Sequence, residues 1–306
     1  MAITKTLIPG GGGDYVLMST AEANDQQVLS EPYILECYAG EISDVVIWNG
    51  WEVDETNFVT VTAAGPDDLN GGDRNSGFWM AGNVGFEGVI SNDLAYSEFI
   101  GLGLENLATS FGNGFKNEAA LVNIRDCYII TRSDNTPCLS NIQAEFTATN
   151  CIADKGNSAF AVGAGVIISC LAKNSAVGFS TGASATFINC VSRSTTGFDV
   201  AGGTAYNNAS DDATAPGTSP VTGVSDADFV DYAGGDFHPS EGGLLATSGA
   251  DESGRFTTDM AGATRTVPWT IGPLILGSAF ADSDAFDVII AGGGETYTGS
   301  GTAALT

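Results

Sequence analysis

The chain has 306 residues, 37 of them acidic and 10 basic, for a formal net charge of −27 at pH 7. That balance argues against nucleic acid, which asks for a basic stripe, and against a membrane surface for the same reason; no apolar run reaches the ~18 residues of a membrane span. Glycine is plentiful at 41 residues, proline is scarce at 9, and only 15% of the chain is charged, a composition suited to many tight corners.

From the start, "MAITKTLIPGGGG" lacks the apolar core of a secretory signal, which predicts synthesis and assembly in a reducing cytoplasm without a signal peptide. "GGGGDY" at 10–15 reads as a flexible lead. It is no phosphate loop, because the Lys-Ser/Thr that would hold nucleotide phosphates is missing. "STAEAND" at 19–25 has capping-box spacing, Ser19 followed three residues on by Glu22, and predicts a short helix covering the first layer of the fold. Trp48 and Trp51 in "VVIWNGWEV", then Trp79 and later Trp269, could stack on sugar faces, but the area a tryptophan buries favours core or interface packing.

Between 100 and 210 the chain repeats. Cys127, Cys151, Cys170 and Cys190 are spaced by 24, 19 and 20 residues, a series that extends to Leu107 and Ala209. Phe115, Phe160, Phe179 and Phe198 run in parallel with it. A unit of about twenty residues is too short for a helical hairpin repeat. Before each Cys position apolar residues alternate, as in Val122 and Ile124 or Phe146 and Ala148, which marks a strand with one buried face. The step from the last of these to the Cys is odd, so the backbone must turn there. One residue before the Cys stand Asn106, Asp126, Asn150, Ser169, Asn189 and Asn208, types that tolerate the left-handed conformation of a tight corner and could ladder when stacked. The longest repeat carries extra residues, "TRSDNTPC" at 131–138, expected to bulge from the scaffold as a contact loop.

This pattern, best seen in "FINCVSRSTTGF", resembles the right-handed parallel β-helix family, pectate-lyase-like proteins in which three strands per coil wrap a dry core and an asparagine-rich bend joins the second strand to the third. The resemblance implies an all-β fold: a right-handed parallel β-helix solenoid over 31–275, preceded by an N-terminal arm and capping helix at 1–30 and followed by a small C-terminal strand-rich docking segment at 276–306. Coils about 4.8 Å apart would stack each inward residue on its equivalents, which explains why Cys and Phe recur in register. Eleven or twelve coils over 30–270 would make a rod roughly 50–60 Å long. The ladder thiols should be free and buried; Cys37 and Cys138 lie outside the ladder and lack a Cys-x-x-Cys partner for zinc.

The family that the chain resembles is widely used to cleave polysaccharides, which makes its carboxylates and bases candidates for a site. Asp154, Lys173 and Arg193, three residues past successive ladder cysteines, should stack on the outward face, either as a patch for an acidic sugar or as a surface charge ladder; exposed charge pairs of this kind are common and weak. Asp211-Asp212 could hold calcium or act as an acid pair, but adjacent aspartates in a Gly/Pro/Ser-rich loop are more often turn formers. Asp228, Asp231 and Asp236 form a weaker acidic run, and His238, the single histidine, has no triad partners in the repeat. No catalytic, cofactor-binding or metal residue is assigned, calcium remaining the one candidate ion.

The ends carry a second resemblance. Residues 236–274, with Asp236-Phe237, Asp259, Gly262, Arg265 and Ile271-Gly272, look like the closing segment of many β-helix proteins. "DYVLMSTAEAND…ECYAG" resembles the opening of β-helix proteins of phages and prophages, and "YTGSGTAAL" resembles Gly/Thr-rich ends of tailed-bacteriophage structural proteins. What these imply is a non-enzymatic structural protein on a tailed-phage virion surface: a capsid decoration or head spike, or else a tail fibre or tailspike component. Major capsid protein or tail components would be its partners, a homotrimer its oligomer, and host-surface polysaccharide a further ligand. The alternative is a polysaccharide lyase or glycosidase on the same scaffold.

Overall fold

A computed structural model describes residues 2–64, 77–84, 87–143, 145–200 and 203–276. The docking segment expected at 276–306 therefore lies, beyond Leu276, outside the described residues. Strands dominate, and Met18–Asp25 is the one α-helix among the described residues.

One coil shows the plan. Asn113–Asn117 lies in a first sheet, Val122–Arg125 in a second and Tyr128–Thr131 in a third. The next three strands, Leu139–Asn141, Phe146–Thr149 and Ile152–Asp154, pair with them in turn, every pairing parallel. In the following coils Ser158–Ile168 and Val177–Ile188 run unbroken from sheet 1 into sheet 2. The expected parallel β-helix is thus present, with equivalent side chains stacked along its axis.

The core columns are built as their spacing predicts. Phe160, Phe179 and Phe198 stack with centroids 5.0 and 4.7 Å apart and planes within 12° of parallel. Phe115 stands in the same column two coils before Phe160, with Leu139 between them. The pairing Tyr128↔Ile152↔Leu171↔Val191 sets Cys127, Cys151, Cys170 and Cys190 on consecutive coils. All six cysteines are free and buried. Each ladder Sγ donates to the carbonyl two residues back, at 3.2–3.4 Å, and burial pushes the thiols of Cys127, Cys151 and Cys170 well up.

The ends of this column differ from the sequence reading. Tyr128 pairs with Gly103 and Val191 with Ala209, so the residues in register are Leu102 and Asn208, not Leu107 and Ala209. The coil before Cys127 is longer than assumed, with 25 residues from Leu102. At the far end Asn208 replaces the thiol, and its Oδ1 accepts from the Cys190 N–H at 3.0 Å. The corner follows the same shift: φ is 57° at Asp126, 53° at Asn150, 52° at Ser169, 54° at Asn189 and 52° at Asn207, while Gly101 at 68° takes the place expected for Asn106.

Among the described residues the expected corner ladder is formed at one rung, where Asn150 Nδ2 donates to Asp126 Oδ1 at 3.0 Å. A continuous asparagine ladder occurs instead at the exit of sheet 1. Asn92 donates to Asn117 at 2.9 Å and Asn117 to Asn141 at 2.7 Å, inside the core. The long turn at 132–138 does stand out against its counterpart, the three residues 155–157 of the next coil, and exposes Arg132, Asp134 and Asn135.

Two terminal features revise the reading. Ile3–Leu7, ahead of the glycine run, pairs in parallel with Tyr33–Cys37 and so belongs to sheet 2. The helix begins at Met18 with Leu17 as its N-cap, two residues before the expected Ser19, and has no side-chain capping bond. Ser19 and Glu22 therefore form no capping box. The free N–H of Ser19 is met from outside, since Asp44 accepts from Ser19 N–H and Oγ, each at 2.8 Å. At the other end the last strand in the coil is Val221–Thr222. The chain then folds back along the outside of the rod, so the expected eleven or twelve coils overcount by including this return.

Candidate functional site

The charged rungs Asp154, Lys173 and Arg193 do stack in register on the outer face of sheet 3. They are not a surface ladder. On the same face Tyr128, Ile152, Leu171, Val191 and Ala209 form an apolar stripe, and the return segment lays Phe229, Phe237, Leu245, Met260, Ile271 and Leu274 over it as a second core. Asp154 and Lys173 are each only 8% exposed.

Beneath this cover the charged groups pair with one another, although Arg193 Nε and Asp211 Oδ1 are buried without a hydrogen-bond partner among the described residues. Lys173 Nζ lies 3.5 Å from Asp154 Oδ2 and 4.3 Å from the centroid of Phe237. Asp154 also accepts from Asn174 Nδ2 at 2.9 Å and Tyr128 OH at 3.4 Å. Burial drives the Lys173 pKa below the ordinary lysine value, against the pull of Asp154. Arg193 reaches Asp211 at 3.0 Å, the Val224 carbonyl at 3.1 Å, and Asp226, with its guanidinium over Tyr232. The carboxylate–ammonium–guanidinium row therefore holds the return segment to the coil.

The remaining candidates are dispersed among structural tasks. Asp212 accepts from the Thr214 and Gly197 N–H groups at 2.9 and 3.1 Å, the turn-forming role expected of it. Asp228 ties the N–H of Ser225 to that of Leu244, at 2.8 and 2.7 Å. Asp231 closes a turn at Gly234 N–H, and Asp236 bonds His238 Nδ1 at 2.6 Å. His238 and all four tryptophans are buried, which removes the tryptophans as sugar platforms. Among the described residues no group of three or more His, Cys, Asp or Glu side chains converges as a metal site.

Two open depressions stand out among the described residues. A polar cleft of about 570 Å³ lies where the coils turn from sheet 3 to sheet 1, with Arg193 and Asp211 on one wall and Asp134, from the long turn, on another. A larger groove of about 650 Å³ runs along the outer face of sheet 2. Its floor is the row Glu98, Asn123, Thr147, Val166 and Thr186, one residue per coil. Its wall is the preceding corner, Phe58, Tyr96, Leu121 and Glu145, and Glu55 closes one end. Sequence reasoning missed this groove, because its wall residues differ from coil to coil and leave no period. The one available signal was the bulky residues of the first coils at a corner that Ala164 occupies later.

No family model and no curated protein matches the chain. Among solved structures it is similar to the pectin methylesterase from Aspergillus niger in deglycosylated form, at 11% identity over 82% of this chain and 92% of that one, with a TM-score of 0.50. It is also similar to the pectin methylesterase from carrot, at 12% identity over 67% and 70% and a TM-score of 0.48. Pectate lyase Pel9A is a third, at 13% identity over 90% and 96% and a TM-score of 0.45. At such identities the likeness is one of fold alone.

Proposed function

We propose that this chain is a non-enzymatic structural protein of a tailed-phage virion, a rigid right-handed rod that decorates the capsid or forms a head spike, with tail fibre or tailspike as the other location. One observation carries the reading: the charged rungs best placed to act on a sugar are covered by the chain's own return segment and used to fasten it. A rod locked along its side suits a mechanical role. The phage-like textures at 14–40 and 297–305 supply the setting.

In this reading the Met18–Asp25 helix caps the first coil, residues 276–306 dock to the major capsid protein or a tail component, and the rods associate as homotrimers. Electron microscopy of purified particles should place the rod at fixed positions and stoichiometric copy number. Absence of the chain from intact particles would overturn the reading.

A second reading is a polysaccharide lyase or glycosidase, and the polar cleft beside Arg193 favours it. Incubation with acidic capsular polysaccharides, with and without calcium, separates the two. Release of unsaturated or shortened sugars, abolished by Arg193→Met, would replace the structural role by the enzymatic one.

A further inference from the structure

We infer that the groove on the outer face of sheet 2 docks an extended basic segment of a partner protein. The inference rests on the groove's own shape and charge and holds for a virion protein or an enzyme alike. Sheet 3 has its outer face covered by the return segment, whereas this stretch of sheet 2 is left open.

The wall is built at a conformational cost. Val59 pairs with Ser97, Ser97 with Val122 and Val122 with Phe146, so the preceding residues Phe58, Tyr96, Leu121 and Glu145 stand on consecutive coils. Tyr96, Leu121 and Glu145 have φ of 50°, 58° and 59°. A side chain in the left-handed region costs about 1–2 kcal/mol relative to the right-handed one, and the next coil does without it, since Ala164, in register with Glu145, does not have a positive φ. Strain held at three successive corners to present large side chains marks a surface kept for contact.

Charge and length then select the occupant. Glu55, Glu98 and Glu145 line the groove, and no Lys or Arg is among the described residues that do. Aromatic faces beside carboxylates favour ammonium and guanidinium groups, through ring electrostatics and charge-assisted hydrogen bonds. Five floor rungs at about 4.8 Å span roughly 19 Å, the reach of about six extended residues. A second copy of this chain, at −27, would bring a like charge to an acidic wall. An alternating peptide would place its cations against Glu98 and Glu145 and its other side chains against Tyr96 and Leu121.

The test titrates the full chain into a fluorescein-labelled Lys-Thr-Lys-Thr-Lys-Thr peptide, in about 150 mM salt so that distant charges are screened. Saturable binding is expected, weakened at least ~10-fold by Glu98→Gln with Glu145→Gln, a loss of ~1.4 kcal/mol. The same charge change made away from the groove, Asp199→Asn with Glu241→Gln, should alter it less than ~2-fold, and Tyr96→Leu should weaken it several-fold. Equal losses from both charge pairs would reduce the effect to general acidity and overturn the proposal, as would absence of saturable binding. Binding of a neutral hexasaccharide, lost in Tyr96→Leu while the peptide fails to bind, would assign the groove to a glycan and overturn it as well. Circular dichroism of each variant separates lost contact from lost fold.

Discussion

Asp126 provides a sharp test of how the return segment is held. Its carboxyl sits at the corner beneath Arg265 and Asp259, accepts from Asn150 Nδ2 at 3.0 Å and lies 3.4 Å from Arg125. Burial dominates and lifts its pKa from 3.8 to about 6, with Asp259 adding to the rise while Asn150, Arg125 and Arg265 oppose it. That rise corresponds to about 3 kcal/mol of preference for the protonated form. For an acid whose folded pKa is raised, the folded chain holds a proton that the unfolded chain has released between pH 3.8 and about 6. The contribution is therefore complete below pH 3.8 and is lost as pH rises through 6, the full penalty remaining at neutrality. Asp126→Asn removes the charge, keeps an acceptor for Asn150 and suits φ of 57°. Measured by chemical denaturation, the variant should exceed the parent by roughly 1–3 kcal/mol at neutral pH, the lower figure allowing for lost attraction to Arg265, and the gap should close on acidification. A variant no more stable at neutral pH, or a gap that does not vary with pH, would refute a buried, penalised carboxylate.

Arg265→Met should destabilise by about 3–5 kcal/mol in the same assay, because it strands buried polar partners; those are Asn150 Oδ1 and the Gly272 carbonyl, both at 3.0 Å from Nη2. Phe179→Ala, cutting the stack between Phe160 and Phe198, should cost about 3–5 kcal/mol, whereas Ile142→Ala, at a side chain 65% exposed, should stay within about 0.5 kcal/mol. Lys173→Met leaves Asp154 buried without its cation, so limited proteolysis should cut the 225–276 return faster than in the parent, and adding Asp154→Asn should slow cleavage again. Asn189→Gly keeps the left-handed corner and deletes only the two bonds to Ala250, at 2.9 and 2.7 Å. A drop of about 1–3 kcal/mol in unfolding free energy is expected, and an unchanged value would mean that the corner amide serves the turn and nothing else.

The columns were legible because stacking forces like onto like. Cys151, Cys170 and Cys190 repeat at nearly constant spacing, and the phase break at the corner follows from side-chain alternation alone. Register failed where a coil lengthens: between Leu102 and Cys127 the extra residues sit in a turn, and counting from a fixed period then selects Leu107. The cover over sheet 3 was readable in principle. Ile152, Leu171 and Val191 directly follow the ladder cysteines and must face outward once the cysteines face inward, and a row of large apolar residues on an outer face asks for a lid. Attention to Lys173 and Arg193 as exposed charges hid that signal. The groove of sheet 2 left less to read, since Tyr96, Leu121 and Glu145 share a place on the coil and no chemistry.

The corner asparagines connect these observations. In a bare solenoid each coil touches only its neighbours, so stability accumulates locally and ends can fray. Here the return segment runs back against the direction of winding: Ser248 accepts from Asn207, Ala250 pairs with Asn189, and Thr258 and Arg265 meet Asn150. The sequence separations widen in that order, 41, 61 and 115 residues, as expected of a strap laid down from the late coils toward the early ones. A residue chosen for its tolerance of the left-handed corner also offers a donor and an acceptor outward, so the same column that turns the backbone supplies the attachment points. Opening one coil then requires releasing a strap that spans several, which converts a chain of weakly coupled repeats into a stiffer cooperative body, with slow closure of distant contacts as its kinetic consequence.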